Sequence, residues 1–248
     1  MGHRILIIEH EAEAGLGFLA GWLAGAGVTC EIARPYADGK VPGLAADGLI
    51  VLGGAASAWD DEGYAWLPAT RGLIRRSVDA GLPTLGICLG AQLMTLACGG
   101  AVERGADGLE VGLGSVSLLP AAAGDPLFAR LAPTVRSVQY HQDAMTALPP
   151  GAVPLATGER YPNQAYRLGS SAWAVQFHPE ATPEIFLSWT GPNAGELAAG
   201  GFDVQDLDAT VVAARDELER TWRPLAEAFA AVVTGGRVQA DSPLPDLS

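Results

Sequence analysis

The sequence predicts an α/β protein with an open, mostly parallel β-sheet and helices on both faces. Two observations support this prediction. Short runs of consecutive apolar residues, such as 5–8 and 49–52, are typical of strands that are buried on both faces. Segments between such runs carry apolar residues at helical spacing. Strands that alternate with helices favour a parallel sheet, in which ligands bind at the carboxyl ends of the strands.

The expected elements of the N-terminal part follow one another in chain order. They are a strand at 5–8, a helix around 18–23, a strand at 28–33, a strand at 47–52, a helix at 66–80 and a strand at 84–87. Glycines end most of these segments, as Gly53-Gly54 does for the third strand. Shorter strands separated by Pro and Gly turns are then expected at 116–119, 135–141 and 173–177.

The composition changes after Thr190. Gly and Pro indicate loops within 191–201, and Asp203 is expected to cap the helix that follows. Apolar residues then form one stripe at helical spacing, and Pro224 is expected to break or kink this helix: Leu218, Trp222, Leu225, Phe229 and Val232. We therefore predict a main domain at 1–190, a helical extension packed on the core at 191–234 and a flexible tail at 235–248. A dedicated partner-binding helix is the alternative to a docked one.

Charge and cysteine content exclude several classes of function. A net charge of −13 argues against binding to nucleic acid or to an anionic membrane, because both need clustered Lys and Arg. Cys30, Cys88 and Cys98 form no CxxC pair, so neither a disulfide framework nor a zinc site is expected. No apolar run has the length of a transmembrane helix, and no signal peptide is recognisable at the N-terminus. We expect a cytoplasmic protein that needs no metal and no cofactor.

The segment 85–92, Leu-Gly-Ile-Cys-Leu-Gly-Ala-Gln, has the pattern of a nucleophile elbow. A strand runs into a tight turn at Cys88 and then into a helix, and the small Gly86 and Gly90 let the strand and the helix approach each other. The positive end of the helix dipole favours a thiolate at this position. A cysteine in an apolar run is more commonly an unreactive core residue. The elbow pattern alone therefore does not identify Cys88 as a nucleophile, and a second reactive group elsewhere in the sequence is required.

That second group lies in the segment 176–180, Gln-Phe-His-Pro-Glu. His178 and Glu180 are two residues apart in an extended stretch, so their side chains leave the backbone on the same side. An imidazole that serves as a base, held by a carboxylate, is what a thiol nucleophile requires. Together the two segments predict a Cys88–His178–Glu180 triad.

These motifs resemble those of the triad-type, or class I, glutamine amidotransferases, in the stand-alone branch similar to the glutaminase half of GMP synthase. The resemblance covers about 4–185 and implies a flavodoxin-like fold. It also implies that Cys88 attacks the side-chain amide of glutamine, with His178 as general base and acid and Glu180 orienting it. Further matches are Gly53-Gly54 and Gln92, which is expected to face the pocket one helical turn after the cysteine.

Backbone N–H groups of Gly54 and Leu89 are the expected donors to the oxyanion that forms during this attack. The segment from Tyr140 to Asp143 resembles the family segment that grips the amino-acid end of glutamine. Gln142 stands there in place of a small residue, so its side chain is expected either to narrow the pocket or to bind substrate. His141 is expected either to be structural or to support the residues that contact substrate, because His178 already has a carboxylate partner.

The resemblance implies an enzyme that hydrolyses glutamine through a γ-glutamyl thioester. The chain has neither a Gly-rich phosphate loop with Lys nor a Ser-Gly-Gly-x-Asp-Ser pyrophosphatase loop. Ammonia transfer to an activated acceptor is therefore expected to need a separate synthetase subunit. Two alternatives stay open. One is a self-sufficient hydrolase, peptidase or transferase acting on another γ-glutamyl small molecule, and the other is a non-catalytic regulator that retains the fold.

Overall fold

A computed structural model describes residues 2–235 of the chain. Within these residues the strands are β1 (Arg4–Ile8), β2 (Thr29–Ala33), β3 (Gly48–Val51), β4 (Thr84–Ile87), β5 (Ala101–Arg104), β6 (Glu110–Leu118), β7 (Thr134–His141), β8 (Asp143–Ala147), β9 (Val153–Thr157), β10 (Ala165–Leu168) and β11 (Ala172–Val175). The α-helices are α1 (Phe18–Gly25), α2 (Pro35–Asp38), α3 (Leu67–Asp79), α4 (Leu89–Ala97), α5 (Pro183–Thr190), α6 (Ala194–Ala199), α7 (Val204–Ala213) and α8 (Arg215–Val233). A short 3-10 helix spans Pro120–Gly124.

Nine strands form one sheet in the order β2-β1-β3-β4-β11-β10-β9-β6-β7. Neighbouring strands are parallel from β2 to β11 and antiparallel from β11 to β7. The predicted α/β class is confirmed, and the parallel part contains every strand of the predicted N-terminal alternation. The antiparallel part is built from strands that follow β5, and the expectation that these are short is wrong for β6 and β7, which are longer than any parallel strand.

Both faces of the parallel part are covered by helices. Alternate strand residues point to opposite faces, so Ile5 and Ile7 pack in one hydrophobic cluster while Leu6 and Ile8 pack in another. The first cluster contains residues of α1 and α8, and the second contains residues of α3 and α4. Burial on both faces explains why these strands appear in the sequence as continuous apolar runs.

A two-stranded antiparallel ribbon, formed by β5 and β8, stands apart from the main sheet. Arg104, the last residue of β5, pairs with Asp143, the first residue of β8. The N–H of Gly105 donates to the carbonyl oxygen of Gln142 at 2.8 Å, which continues this pairing by one step. The ribbon therefore brings the segment after β5 against the segment 140–143.

The C-terminal helices are present, and Asp203 caps α7 as predicted. Its carboxylate accepts hydrogen bonds from the N–H groups of Gln205 and Asp206. The predicted break at Pro224 is wrong, because α8 continues through it. A proline inside a helix costs about 3 kcal/mol. Full burial of a large apolar side chain contributes about 1.5–3 kcal/mol, and several such side chains of α8 are buried, so their packing outweighs the lost hydrogen bond.

The long helix α8 lies against the main sheet. The indole N–H of Trp222 donates to the carbonyl oxygen of Arg136 in β7 at 3.1 Å, and the Trp222 ring lies 4.7 Å from that of Phe177. No helix within residues 2–235 is long and apolar enough to cross a membrane. Apart from Gly235, the predicted tail lies outside the described residues.

Candidate active site

The candidate site forms where three neighbouring strands end. The central strand β4 lies between β3 and β11, and Gly86 pairs with Val51 on one side and with Ala174 on the other. Cys88 follows β4, Gly53-Gly54 follows β3, and His178 follows β11. Parallel strands in register end at the same sheet edge, so the topology brings together segments that are far apart in the sequence.

Cys88 occupies a strained turn between β4 and α4. With φ of 49° and ψ of −107°, it is the one residue other than glycine that has a positive φ within the described part of the chain. A Cβ on Gly86 would lie 2.6 Å from the carbonyl oxygen of Gly90, and a Cβ on Gly90 would overlap the carbonyl oxygen of Val51. Both glycines are therefore required for the close approach of strand and helix.

His178 and Glu180 form a buried pair beside this cysteine. The Nδ1 atom of His178 lies 2.8 Å from Oε1 of Glu180, and both side chains are almost completely buried. Nε2 of His178 is directed to Cys88 and has no other hydrogen-bond partner. The backbone N–H of His178 donates to the carbonyl oxygen of Val138 at 2.8 Å, which fixes the segment against β7. The fold thus brings Cys88, His178 and Glu180 together at one end of the sheet, and their catalytic roles stay a prediction.

The surroundings of His178 favour its protonated form. Burial has the largest single effect and lowers the pKa, but the charges of Glu180 and Cys88 and hydrogen bonds to both side chains together raise it to about 10. An imidazolium at neutral pH can face a thiolate across the elbow, and the helix N-terminus stabilises that negative charge. The arrangement can therefore support nucleophilic attack by the sulfur.

A buried amide side chain also contacts the sulfur. Nε2 of Gln176 lies 3.7 Å from Sγ of Cys88, and Oε1 of Gln176 accepts a hydrogen bond of 3.3 Å from Gln92. Gln92 also donates to the backbone oxygen of Asp143 at 3.0 Å. The sequence prediction did not include Gln176. Its spacing of two residues from His178, in an extended segment, is the signal that places both side chains on one side.

The expected oxyanion donors lie next to Cys88. Helical hydrogen bonding in α4 begins with the N–H of Gln92, which donates to the carbonyl oxygen of Cys88 at 2.9 Å, so the N–H of Leu89 precedes the first bond of the helix. Gly54 lines the cavity, where a Cβ would lie 2.9 Å from His10 and 3.2 Å from the Leu89 side chain. The oxyanion role of these two N–H groups stays a prediction.

The segment from Tyr140 to Gln142 forms part of the cavity wall. Tyr140 packs against the rings of Phe186 and Trp189. Both ring nitrogens of His141 are engaged, one 2.9 Å from Glu110 and the other 2.9 Å from the backbone oxygen of Asp143, which agrees with the structural role expected for it. The exposed Gln142 side chain accepts a hydrogen bond of 2.9 Å from Arg104. Gln142 thus contacts another wall residue rather than the thiol.

The cavity above Cys88 has a volume of about 930 Å³. Charged side chains of both signs lie in its wall: Glu11, Glu13, Arg104, Asp107, Asp143, Arg160 and Glu196. The wall also includes residues between 188 and 202. No group of three or more His, Cys, Asp and Glu side chains within the described residues is placed to hold a metal ion.

Comparison with known proteins agrees with this geometry. The family model "Glutamine amidotransferase class-I" matches residues 19–186. Over 186 residues the chain is 34% identical to a glutamine-hydrolysing GMP synthase of Xanthomonas oryzae pv. oryzae and 33% identical to one of Stenotrophomonas maltophilia. In each case the match covers 72% of this chain and 33% of the relative. The chain therefore spans about a third of the length of these curated relatives.

Solved structures extend the similarity to the C-terminal helices. A glutamine amidotransferase from Thermotoga maritima superposes with a TM-score of 0.83 at 26% identity, covering 93% of this chain and 99% of that one. A glutamine amidotransferase from Methylobacillus flagellatus superposes with a TM-score of 0.80 at 24% identity, covering 99% of this chain and 100% of that one, and shows the shared fold. The protein belongs to the class I glutamine amidotransferases, a family of cysteine-dependent amidohydrolases.

Proposed function

We propose that this protein hydrolyses the side-chain amide of glutamine through a γ-glutamyl thioester on Cys88. The observation that carries the proposal is the pairing of a cysteine in a strained elbow with the buried His178–Glu180 pair, whose Nδ1 and Oε1 atoms are 2.8 Å apart. A merely structural cysteine has no need of either feature. The intact triad also argues against a non-catalytic regulator.

The proposed reaction has two halves. In the first, the Cys88 thiolate attacks the amide carbon, and the N–H groups of Gly54 and Leu89 stabilise the oxyanion. The protonated Nε2 of His178 gives its proton to the departing nitrogen, so ammonia leaves and a thioester remains. In the second half, neutral His178 takes a proton from water, and the resulting hydroxide attacks the thioester. Glutamate leaves, and the thiolate and imidazolium are restored.

A separate synthetase subunit is the proposed destination of the ammonia. The support is that this chain corresponds to about a third of relatives whose names are glutamine-hydrolysing GMP synthases. The sequence itself carries neither of the two nucleotide-binding loops named above. The three unpaired cysteines, Cys30, Cys88 and Cys98, suit the reducing cytoplasm in which we place the protein.

Trapping the intermediate tests the proposal. Wild-type protein incubated with glutamine and quenched in acid should show, by mass spectrometry, a γ-glutamyl adduct on the peptide that contains Cys88. Cys88→Ala should form no adduct and release no ammonia, whereas Cys98→Ala, the matched control in the same helical region, should behave like wild type. An adduct on Cys30 or Cys98 would contradict the assignment of the nucleophile.

One observation favours a second candidate function. The cavity of about 930 Å³ is at the upper end of the range of about 300–1,000 Å³ that holds drug-sized ligands, and part of its wall comes from residues beyond the family match. This room suits a self-sufficient hydrolase or transferase that acts on γ-glutamyl compounds larger than glutamine. Comparing kcat/KM for glutamine and for γ-glutamyl dipeptides, with no synthetase present, separates the two candidates. A glutaminase that depends on its partner should be almost inactive alone.

A further inference from the structure

The loop 9–17, which joins β1 to α1, leaves the sheet beside the turn that follows β3. The strands β1 and β3 are parallel, and Ile8 pairs with Val51 at their carboxyl ends. The N–H of Leu52 donates to the carbonyl oxygen of Ile8 at 3.0 Å, so the pairing continues to the last residue before Gly53-Gly54. The loop and the turn therefore run next to each other at the sheet edge that carries Cys88.

The Gly53-Gly54 turn lies close to Cys88 and His178. A Cβ on Gly53 would lie 3.0 Å from Cε1 of His178 and 3.6 Å from Cβ of Cys88. Glycine has more backbone freedom than any other residue, so two in succession give the turn no stiffness of its own. An oxyanion donor acts best when its position is fixed before the reaction. The turn therefore needs support from its neighbours, and the loop 9–17 is a neighbour that supplies it.

His10 fills the space next to Gly54. A Cβ on Gly54 would lie 2.9 Å from Cβ and 3.7 Å from Cγ of His10, which is almost completely buried. The indole N–H of Trp66 donates to Nδ1 of His10 at 3.0 Å and fixes the ring. Burial lowers the pKa of His10 to about 4, so the imidazole is neutral at physiological pH and its Nδ1 can accept this bond. His10 is thus a fixed, uncharged contact for the turn.

Glu11 holds the chain on the other side of Gly54. Its Oε2 accepts a hydrogen bond of 3.1 Å from the backbone N–H of Ala55, the residue after Gly54. This bond restrains the peptide unit between Gly54 and Ala55, while His10 restrains the Cα of Gly54. The two contacts together leave the N–H of Gly54 little freedom to turn.

The loop 9–17 is itself anchored at two further points. The indole N–H of Trp189 donates to the carbonyl oxygen of Glu13 at 3.0 Å. At the end of the loop, the N–H of Phe18 donates to the carbonyl oxygen of Glu180 at 2.9 Å, and a Cβ on Gly17 would overlap that same oxygen. The loop is therefore fixed to the segment that carries His178, and it can act as a rigid support for the turn.

We propose that His10 and Glu11 are positioning residues that hold the Gly53-Gly54 turn, so that the N–H of Gly54 is directed at the oxyanion. The inference rests on the proposed function and deepens it. Neither side chain needs to touch the reacting atoms, because His10 acts by contact and Glu11 by one hydrogen bond. Loss of either support should slow both halves of the reaction, since each passes through an oxyanion, and should leave substrate binding almost unchanged.

Two substitutions at each position test the proposal. His10→Leu removes the acceptor for Trp66, whereas His10→Asn can present Oδ1 in place of Nδ1. Glu11→Leu removes the acceptor for Ala55, whereas Glu11→Gln keeps an acceptor oxygen without the charge. Loss of an oxyanion donor costs about a hundred- to a thousandfold in rate and a displaced donor should cost part of that, so kcat of each Leu variant should fall by about ten- to a hundredfold with KM near wild type. His10→Asn and Glu11→Gln should keep most of kcat.

Alkylation of Cys88 by iodoacetamide is the second readout, because displacement of iodide by the thiolate forms no oxyanion. Its rate should stay near the wild-type value in all four variants. Asp38→Leu is the matched control, since it removes a carboxylate that accepts a backbone N–H, that of Lys40 at 2.9 Å, outside the cavity wall. This variant should keep wild-type kcat. If His10→Leu fails to fold, Glu11→Leu carries the test, because Glu11 is only partly buried.

Wild-type kcat in the Leu variants would overturn the proposal. The same holds for a raised KM with unchanged kcat, which would indicate contact with substrate, and for slow alkylation, which would indicate a displaced thiol. An equal loss of kcat in Glu11→Gln and Glu11→Leu would show that the charge of Glu11 matters and not its hydrogen bond.

Failure of wild-type protein to release ammonia from glutamine would contradict the proposed function instead. Hydrogen exchange of the backbone amides of 52–56, followed by mass spectrometry, then decides the positioning role without any activity. Faster exchange in the two Leu variants than in His10→Asn and Glu11→Gln supports this role, and equal exchange refutes it.

Discussion

The side-chain amide of Gln176 donates to the sulfur of Cys88 across 3.7 Å. Gln176 cannot easily turn away, because Gln92 donates to its Oε1 at 3.3 Å and is itself fixed by the backbone of Asp143. All of these groups are buried. A donor held in this way is worth more to a charged sulfur than to a neutral thiol, since hydrogen bonds to ionised groups are the stronger ones. Gln176 is therefore placed to stabilise negative charge that develops on the sulfur during a reaction.

Replacing Gln176 with methionine should reduce kcat/KM for glutamine by about ten- to a hundredfold, because a hydrogen bond to a charged group contributes about 1.5–3 kcal/mol. Gln139→Met is the matched control, because Gln139 is equally buried but donates to Gln164. If both variants lower kcat/KM alike, the effect is structural and Gln176 has no special role.

The His178–Glu180 pair makes stability depend on pH. The folded-state pKa of His178 is raised from 6.5 to about 10, so its contribution to stability is complete below pH 6.5 and is lost as pH rises toward about 10. Glu180→Gln removes the negative charge that favours the imidazolium. The free energy of unfolding, measured in urea at pH 6 and pH 9, should therefore differ less between the two pH values in Glu180→Gln than in wild type.

The enzymatic activity of Glu180→Gln is an independent measure of how the Glu180 carboxylate affects His178. Glu180→Gln should retain more activity than His178→Ala, because the base remains and only its orientation and tautomer are impaired. Glu184→Gln serves as control, since Glu184 lies nearby in the sequence but pairs with Arg215 on the surface. Wild-type activity and an unaltered pH dependence in Glu180→Gln would show that the carboxylate does not act on His178.

The elbow should tolerate no side chain at position 90. The Cβ of Gly90→Ala would overlap the carbonyl oxygen of Val51 in β3, and a displaced backbone there moves Cys88 as well. Overpacking of this kind typically costs about 1–3 kcal/mol, so both the unfolding free energy and kcat should fall. Gly21→Ala lies in α1 with no atom within 4 Å of its Cβ and should stabilise the protein by up to about 1 kcal/mol. A fully active, equally stable Gly90→Ala would contradict this account of the turn.

The sequence is sufficient to predict that Cys88, His178 and Glu180 lie close together, because the patterns that mark them are local. Cys88 is marked by two glycines within two residues, and His178 and Glu180 are marked by their own spacing. The position of each strand end then follows from parallel topology. Arg160 is different, since its place in the cavity depends on the pairing of β5 with β8 and on contacts with the loop 104–109. Such pairings join residues that share no local pattern.

At Pro224 a local sequence signal gives the wrong prediction, because tertiary packing overrides it. Its helix-breaking tendency is real, but the outcome depends on how much apolar surface of α8 is buried against the sheet. That quantity belongs to the tertiary structure and cannot be obtained from the segment alone. Gln142 is a similar case, because the sequence alone predicts that its side chain narrows the pocket or binds substrate but does not reveal that it accepts a hydrogen bond from Arg104.

Gln142 should therefore act on substrate binding through Arg104. Gln142→Gly removes the acceptor that holds Nη1 of Arg104, at a bond length of 2.9 Å, and leaves the guanidinium freer to move. Loss of one such bond corresponds to about 0.5–1.5 kcal/mol, or about two- to tenfold. We expect KM for glutamine to rise by that factor while kcat stays near the wild-type value, because the thiol and its base are untouched.

In the Arg104→Gln background the same substitution should have no further effect on KM, since Gln142 then has no guanidinium to hold. Steady-state kinetics of the two single variants and the double variant measure this coupling. Additive effects on KM would show that Gln142 meets the substrate directly, as the sequence alone suggests.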